Sequence, residues 1–356
     1  MDGRAGERTM DGFFYVLEGR RMKLASLKEG GRDGTLIVVD RALKRGVRVS
    51  DIAHTLQAAL EDWNNAAPRL NRVYALLNES HAETINGEEV FAIDFAALAA
   101  PLPRAYEFVD GSAYLPHVER VRRARGAEVP ASFYSDPLMY QATSAGFYGP
   151  RDPALVVSED YGIDLEAEVV VVTDDVPMAA TSAQAAAHIQ LIGLVNDVSL
   201  RNLIPNELAK GFGFLQSKPR SALSPVFVTP DELGAAWQNS KVHLPLRTQI
   251  NGAFFGAPEA GEDMQFSFAE LVAHAAKTRP LSAGTIVGSG TIANQDESRG
   301  ASCLAEKRTL ETLANGKPST PFLKFGDTVR IEMVDSTGAS LFGAIEQTIV
   351  KANLPG

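Results

Sequence analysis

At 356 residues and 45% hydrophobic content, the chain can bury one large core, or one core with a smaller satellite domain. Its 34 basic against 44 acidic side chains leave a net charge of −10, which offers phosphate backbones no footprint and argues against a nucleic-acid partner. A single cysteine, Cys303, excludes an intramolecular disulfide and any multi-cysteine metal site, and a reducing cytoplasm fits it best.

Residues 1–21 are charged, contain glycine and lack an apolar core, so they read as an upstream extension, with Met22 a plausible start. Alternating runs at 23–27 and 35–39 flank Gly30-Gly31-Arg32-Asp33-Gly34 and predict a hairpin. Ser50 or Asp51 then caps a helix expected over 50–60. Together these suggest a small αβ domain over residues 22–95. Residues 96–104, alanine-rich with Pro101 and Pro103, read as a linker. Beyond it, β-branched runs at 169–172, 226–229, 284–288, 328–333 and 341–349 alternate with glycines and prolines, and helices are expected only at 116–126, 182–187 and 268–278. The reading is α+β: a mostly-β catalytic domain over 105–352 behind the αβ unit. Apolar stretches stop well short of the ~18 residues a membrane helix needs, so a soluble chain without a membrane partner is expected.

Carboxylates carry the chemical signal. Glu166 and Glu168 lie two apart at the mouth of an apolar run, on one face of a strand. Like charges held side by side repel unless a cation or a shared proton separates them, although an ordinary solvated strand face is the plainer explanation. Asp197 ends another apolar run. If residues 197–204 were helical, Arg201 would sit one turn on and pair with it. An all-carboxylate set selects a hard ion, Mg2+ or Ca2+.

These segments resemble the fumarylacetoacetate hydrolase superfamily. The resemblance rests on Leu165-Glu166-Ala167-Glu168, the stretch from Asn196-Asp197 to Arg201, Lys218 followed by Ser224-Pro225, Gly288-Ser289-Gly290-Thr291, and Phe325-Gly326-Asp327-Thr328. It implies a β-roll catalytic domain, a homodimer, and a divalent cation held by Asp110, Glu166, Glu168 and Asp197. His117, seven residues after Asp110, takes the place of the catalytic histidine, and Glu306 that of its partner. Lys218 becomes a catalytic cation, while Tyr140, Gln141, Arg201, Gly290 and Thr291 fall at substrate-contacting places. Smaller relatives carry a glutamate three residues after the histidine, where this chain has Arg120, and a lysine where it has Gln141.

The chemistry so implied is hydrolysis of a carbon–carbon bond in a fumarylacetoacetate- or acylpyruvate-like oxo acid, as in aromatic amino-acid breakdown. His117 would activate water and Lys218 would stabilise the departing carbanion. A 2-oxo-acid hydratase or decarboxylase acting through the same metal-bound enolate is the alternative, and a non-catalytic scaffold with a structural cation site is a third. No Gly-x-Ser-x-Gly elbow is present, and Cys303 reads as a small buried apolar residue.

Overall fold

The computed structural model describes residues 20–124, 126 and 128–353, so most of the expected upstream extension lies outside the described residues. Lys23–Leu27 and Thr35–Val39 form the expected hairpin, Lys23 opposite Val39 and Leu27 opposite Thr35. The helix after it differs from expectation. Residues 50–54 are held in turns, with Ile52 and Ala53 N–H both donating to Val49 and the His54 carbonyl accepting from Leu36 on the hairpin. The helix therefore starts later, at Leu56–Glu61, with the Thr55 hydroxyl capping Ala58 N–H. A longer helix that the sequence reading did not anticipate, Trp63–Glu79, follows. Its Asn64, Asn65 and Pro68 are weak helix formers, but Trp63, Ala67, Leu70, Tyr74 and Leu77 recur at helical spacing, and their burial outweighs local preference.

Residues 96–104 are no loose tether. Leu98, Ala100 and Leu102 are buried, Ala99 N–H donates to Ser26, and the Ser26 hydroxyl donates to the Pro101 carbonyl. The apolar residues between the prolines have a face to pack on, and this stitches the αβ unit to the rest. One twelve-stranded sheet indeed crosses both parts: Lys23–Leu27 pairs with Phe227–Val228, which leads into Ile189–Asn196, Ala167–Thr173, Ile286–Gly288, Phe108–Gly111 and Met139–Gln141. A second sheet of five strands, among them Leu246–Ile250, Thr328–Met333 and Ile345–Lys351, completes the larger part. The α+β architecture is as expected, a small N-terminal domain beside a mostly-β one.

Strand Ala167–Thr173 is central, which explains its uninterrupted valines. Val169 and Val171 enter one core and Val170 and Val172 the other, so both faces must be apolar. Helices Leu115–Ala124, Ser182–Ala187 and Phe268–Ala275 form close to their expected places. Helix Leu304–Asn315 packs against Leu115–Ala124, bringing Glu306 to His117. Among the described residues, no helix is long and apolar enough to cross a membrane.

Candidate active site

The site forms where central strands end together. Asp110 lies one residue from the end of Phe108–Gly111, Glu166 and Glu168 flank Ala167 at the start of Ala167–Thr173, and Asp197 follows Ile189–Asn196. Pairing of Ala167 with Asn196 and of Asp110 with Gly288 aligns those ends, so four carboxylates from three segments converge, with one oxygen from each lying within 4.8 Å of the others. All four are buried. Gly288 makes the room: a Cβ there would stand 2.2 Å from Asp110 Oδ1 and 3.3 Å from Glu168 Oε2. Gly290, at φ 76°, turns its N–H to both carboxylates at 3.1 Å, and a side chain there would strike the Gly111 carbonyl. Its amide thus orients carboxylates.

Two cations answer part of this charge. Lys218 Nζ donates to Glu166 Oε2 at 2.9 Å, Asp197 Oδ2 at 2.7 Å and the Ser199 hydroxyl at 2.7 Å, which commits all three of its hydrogens. The expected role at a departing carbanion finds no free donor in this arrangement. Arg201 also differs from expectation. Residues 197–204 run through a short strand, Ser199–Leu200, and turns, so Arg201 is carried away from Asp197. It forks instead onto Asp164, at 2.7 Å from Oδ2, and onto Glu166. Asp197 takes further bonds from Tyr140 at 2.6 Å and Ser221 at 2.7 Å.

The charge stays unbalanced. Burial would raise Glu166, but Arg201 and Lys218 outweigh it and hold that carboxyl down to about 2. Burial and then the Asp197 charge push Asp110 up to about 7. Burial and then Asp110 lift Glu168 well above the usual carboxylate range, and its Oε1 is buried with no hydrogen-bond partner. An oxygen-only donor set with surplus negative charge and an orphaned carboxylate oxygen fits a hard divalent ion.

Beside this cluster stands a second assembly. His117 Nδ1 lies 2.5 Å from Glu306 Oε2, and Arg120 Nη1 donates to the other carboxylate oxygen at 2.6 Å. Burial would raise Glu306, but His117 and Arg120 hold it below the usual glutamate range. An ionised carboxylate only accepts, so Nδ1 is the nitrogen that donates to Glu306, and in the neutral ring Nε2 is then the acceptor. His117 and Arg201 line a cavity of about 410 Å³ with Phe214 and Phe322. Tyr140 meets Phe214 edge-on at 4.8 Å. Gln141, its neighbour on the strand, is exposed, donates to Glu107, and lines a second cavity of about 640 Å³ with Tyr140, Phe214 and Lys218. Thr291 is buried, with its hydroxyl unpartnered.

Asp164 and Arg120 join these assemblies although the sequence assigns neither a role in the site. Asp164 holds Arg201 and caps helix Leu304–Asn315 by accepting from Leu304 and Ala305 N–H. A signal existed: Asp164, Glu166 and Glu168 alternate as one strand face. Cys303 is buried, as expected, and its sulfur accepts from Glu306 N–H.

Residues 107–350 match the fumarylacetoacetate hydrolase C-terminal domain, and residues 22–104 match the fumarylacetoacetase N-terminal domain 2. The chain belongs to the fumarylacetoacetate hydrolase family. Among curated proteins it is similar to 2,4-didehydro-3-deoxy-L-rhamnonate hydrolase of Sphingomonas sp. (strain SKA58), 24% identical over 200 residues. That match takes in 55% of this chain and 61% of the relative's length, less than two thirds. Two solved structures share the fold of this family member. One is a fumarylacetoacetate hydrolase from Exiguobacterium antarcticum, at TM-score 0.63 and 16% identity over 93% of this chain and 100% of the other. The other is 2-hydroxyhepta-2,4-diene-1,7-dioate isomerase from Mycobacterium marinum, at TM-score 0.56 and 17% identity over 94% and 100%.

Proposed function

We propose that this protein hydrolyses a carbon–carbon bond beside a carbonyl in a small β-diketo acid, an acylpyruvate or fumarylacetoacetate-like compound, with His117 as general base. The observation that carries this reading is the contact of His117 Nδ1 with the buried Glu306, which leaves Nε2 as a base in a cavity next to the carboxylate cluster. Asp110, Glu166, Glu168 and Asp197 would hold one divalent cation, magnesium or calcium, whose Lewis acidity stabilises negative charge on the oxo acid's oxygens.

The chain's own groups supply the proton movements. His117 Nε2 takes a proton from water, and the resulting hydroxide adds to the carbonyl. Glu306 stabilises the imidazolium and fixes its tautomer, while Arg120 keeps Glu306 ionised and in place. When the carbon–carbon bond breaks, its electron pair stays with the departing enolate carbon, which takes the proton back from His117. Phe214 and Phe322 give the cavity apolar walls that limit bulk water around this step. Arg120 stands where smaller relatives place the glutamate of a decarboxylase-type dyad, and this favours hydrolysis over decarboxylation.

Product analysis tests the reading. Magnesium-loaded protein incubated with acetylpyruvate is expected to yield acetate and pyruvate in equal amounts. Release of carbon dioxide, or hydration of 2-hydroxypentadienoate with no cleavage of any diketo acid, would assign the site to the other reaction class.

A further inference from the structure

Helix Leu304–Asn315 carries Glu306 in its first turn, so the place where that helix begins decides where Glu306 meets His117. Its own cap is weak. The N-cap residue is Cys303, whose sulfur accepts from Glu306 N–H at 3.3 Å, and a thiol is a poor acceptor beside the serine, threonine or aspartate usual there. The first two N–H groups of the helix are met by Asp164, 140 residues before Leu304: Leu304 N–H donates to Asp164 Oδ1 at 2.7 Å and Ala305 N–H to Asp164 Oδ2 at 2.9 Å. Asp164 is fully buried, and its Oδ2 also accepts from Arg201 Nε at 2.7 Å. Arg201 in turn donates to Glu166. Backbone pairing explains why these segments meet, because Ala167 N–H donates to the Ser302 carbonyl at 2.9 Å and Glu166 bridges to Cys303. It does not explain the charge. A buried carboxylate is expensive unless its oxygens are matched, and a local hydroxyl cap at position 303 would serve the helix without one. What the carboxylate adds is a shared reference: one side chain grips the start of the helix bearing Glu306 and, through Arg201, the Glu166 end of the acidic cluster.

We propose that Asp164 is a positioning residue, which locks the Glu306–His117 pair in register with the carboxylate cluster by capping the helix from the short strand Ile163–Asp164 that leads to Glu166. This role rests on the hydrolase reading for its effect on turnover, though not for the geometry of the pair. A general base must be held close to its productive place, and a misplacement of about 1 Å costs about 10²-fold in rate. Without the Asp164 carboxylate the first turn loses its hold on Arg201, and Glu306 shifts with it. His117, Glu306 and the four clustered carboxylates are all still present in such a chain, so the loss is one of alignment.

Asp164→Asn tests this, because it keeps the shape but turns an amide nitrogen toward donors that now face a carboxylate oxygen. The first measurement is proton NMR of the full chain without metal or substrate. The His117 Nδ1 proton, held against Glu306 at 2.5 Å, is expected far downfield in the parent and absent in His117→Ala. In Asp164→Asn it should move upfield or be lost to exchange with water. The second measurement is steady-state kinetics with magnesium and acetylpyruvate, in which kcat should fall about 10–100-fold with KM little changed. Cys303→Ser added to Asp164→Asn supplies a local cap. It should recover Tm without recovering kcat or the downfield proton, since the helix is then stable but no longer referred to Arg201, and it carries the same comparison if Asp164→Asn alone does not fold. A downfield proton unchanged in Asp164→Asn, or a double variant that regains kcat together with Tm, would overturn the proposal and leave Asp164 a structural cap. If the parent does not cleave acetylpyruvate, the hydrolase reading fails, and the proton signal alone decides the role of Asp164.

Discussion

Two buried charge assemblies lie side by side in this molecule, and they are built on different accounts of charge. Around Glu306 the carboxylate sits between His117 and Arg120 and is matched on both oxygens. Around Glu166 and Glu168, the carboxylates of Asp110, Asp164, Glu166, Glu168 and Asp197 form ion pairs, among the described residues, with Lys218 and Arg201 alone. The first assembly is complete as protein, so it can hold an imidazole in one tautomer. The second has surplus negative charge that protein groups do not answer, and buried charge without a partner is expensive. A balanced assembly thus points to positioning, and an unbalanced one to a ligand.

The comparison can be broken at several points. His117→Ala should have the largest effect, lowering kcat by the ~10²–10⁴ typical of a general base while magnesium affinity measured by calorimetry stays near that of the parent. Glu306→Gln added to it should cost little more, because groups that act as a unit are not additive; additive losses in steady-state kinetics would separate the two residues. Arg120→Met strips the balanced assembly of one partner, and chemical denaturation should show a loss of about 3–5 kcal/mol, the usual cost of leaving a buried charge half-paired. Gly288→Ala probes the unbalanced one. Its Cβ would press on Asp110 Oδ1, so magnesium affinity should fall about 10–100-fold, as when a group orienting metal ligands is disturbed.

The smallest effect concerns pH. Glu306 has a folded pKa depressed below its ordinary value near 4.5. Its contribution is therefore fully present above that value and is lost as pH falls through the folded pKa. Glu306→Gln should remove that part of the acid-side slope of Tm against pH. A slope identical in parent and variant would mean that Glu306 is not held ionised by its neighbours.

Much of this was legible in sequence wherever the signal was local. The strand face bearing Glu166 and Glu168, the hairpin at Lys23–Leu27 and the valines of the central strand all follow from a period of two. What was not legible depended on distant partners. Arg120 meets Glu306 across 186 residues, and no local pattern could announce the pair. Arg201 would sit beside Asp197 only on a helix, whereas turns carry it to Asp164, 37 residues earlier in the chain. The close packing of residues 96–104 is hidden in sequence for a related reason: their alanines, leucines and prolines look permissive until the hairpin strand supplies a surface to bury them. Lys218 was identifiable as a cation of the site, but the commitment of all its donors appears only in three dimensions.

The account stands or falls on whether the unbalanced cluster takes up a cation. Calorimetric titration of magnesium, and separately of calcium, into chelator-treated full chain measures this directly. One ion per chain is expected, with binding reduced at least about 100-fold when Glu166→Gln and Glu168→Gln are combined, since half of the donor carboxylates lose their charge. Undetectable binding by the parent, or equal affinity in the double variant, would contradict the assignment of Asp110, Glu166, Glu168 and Asp197 as a metal site.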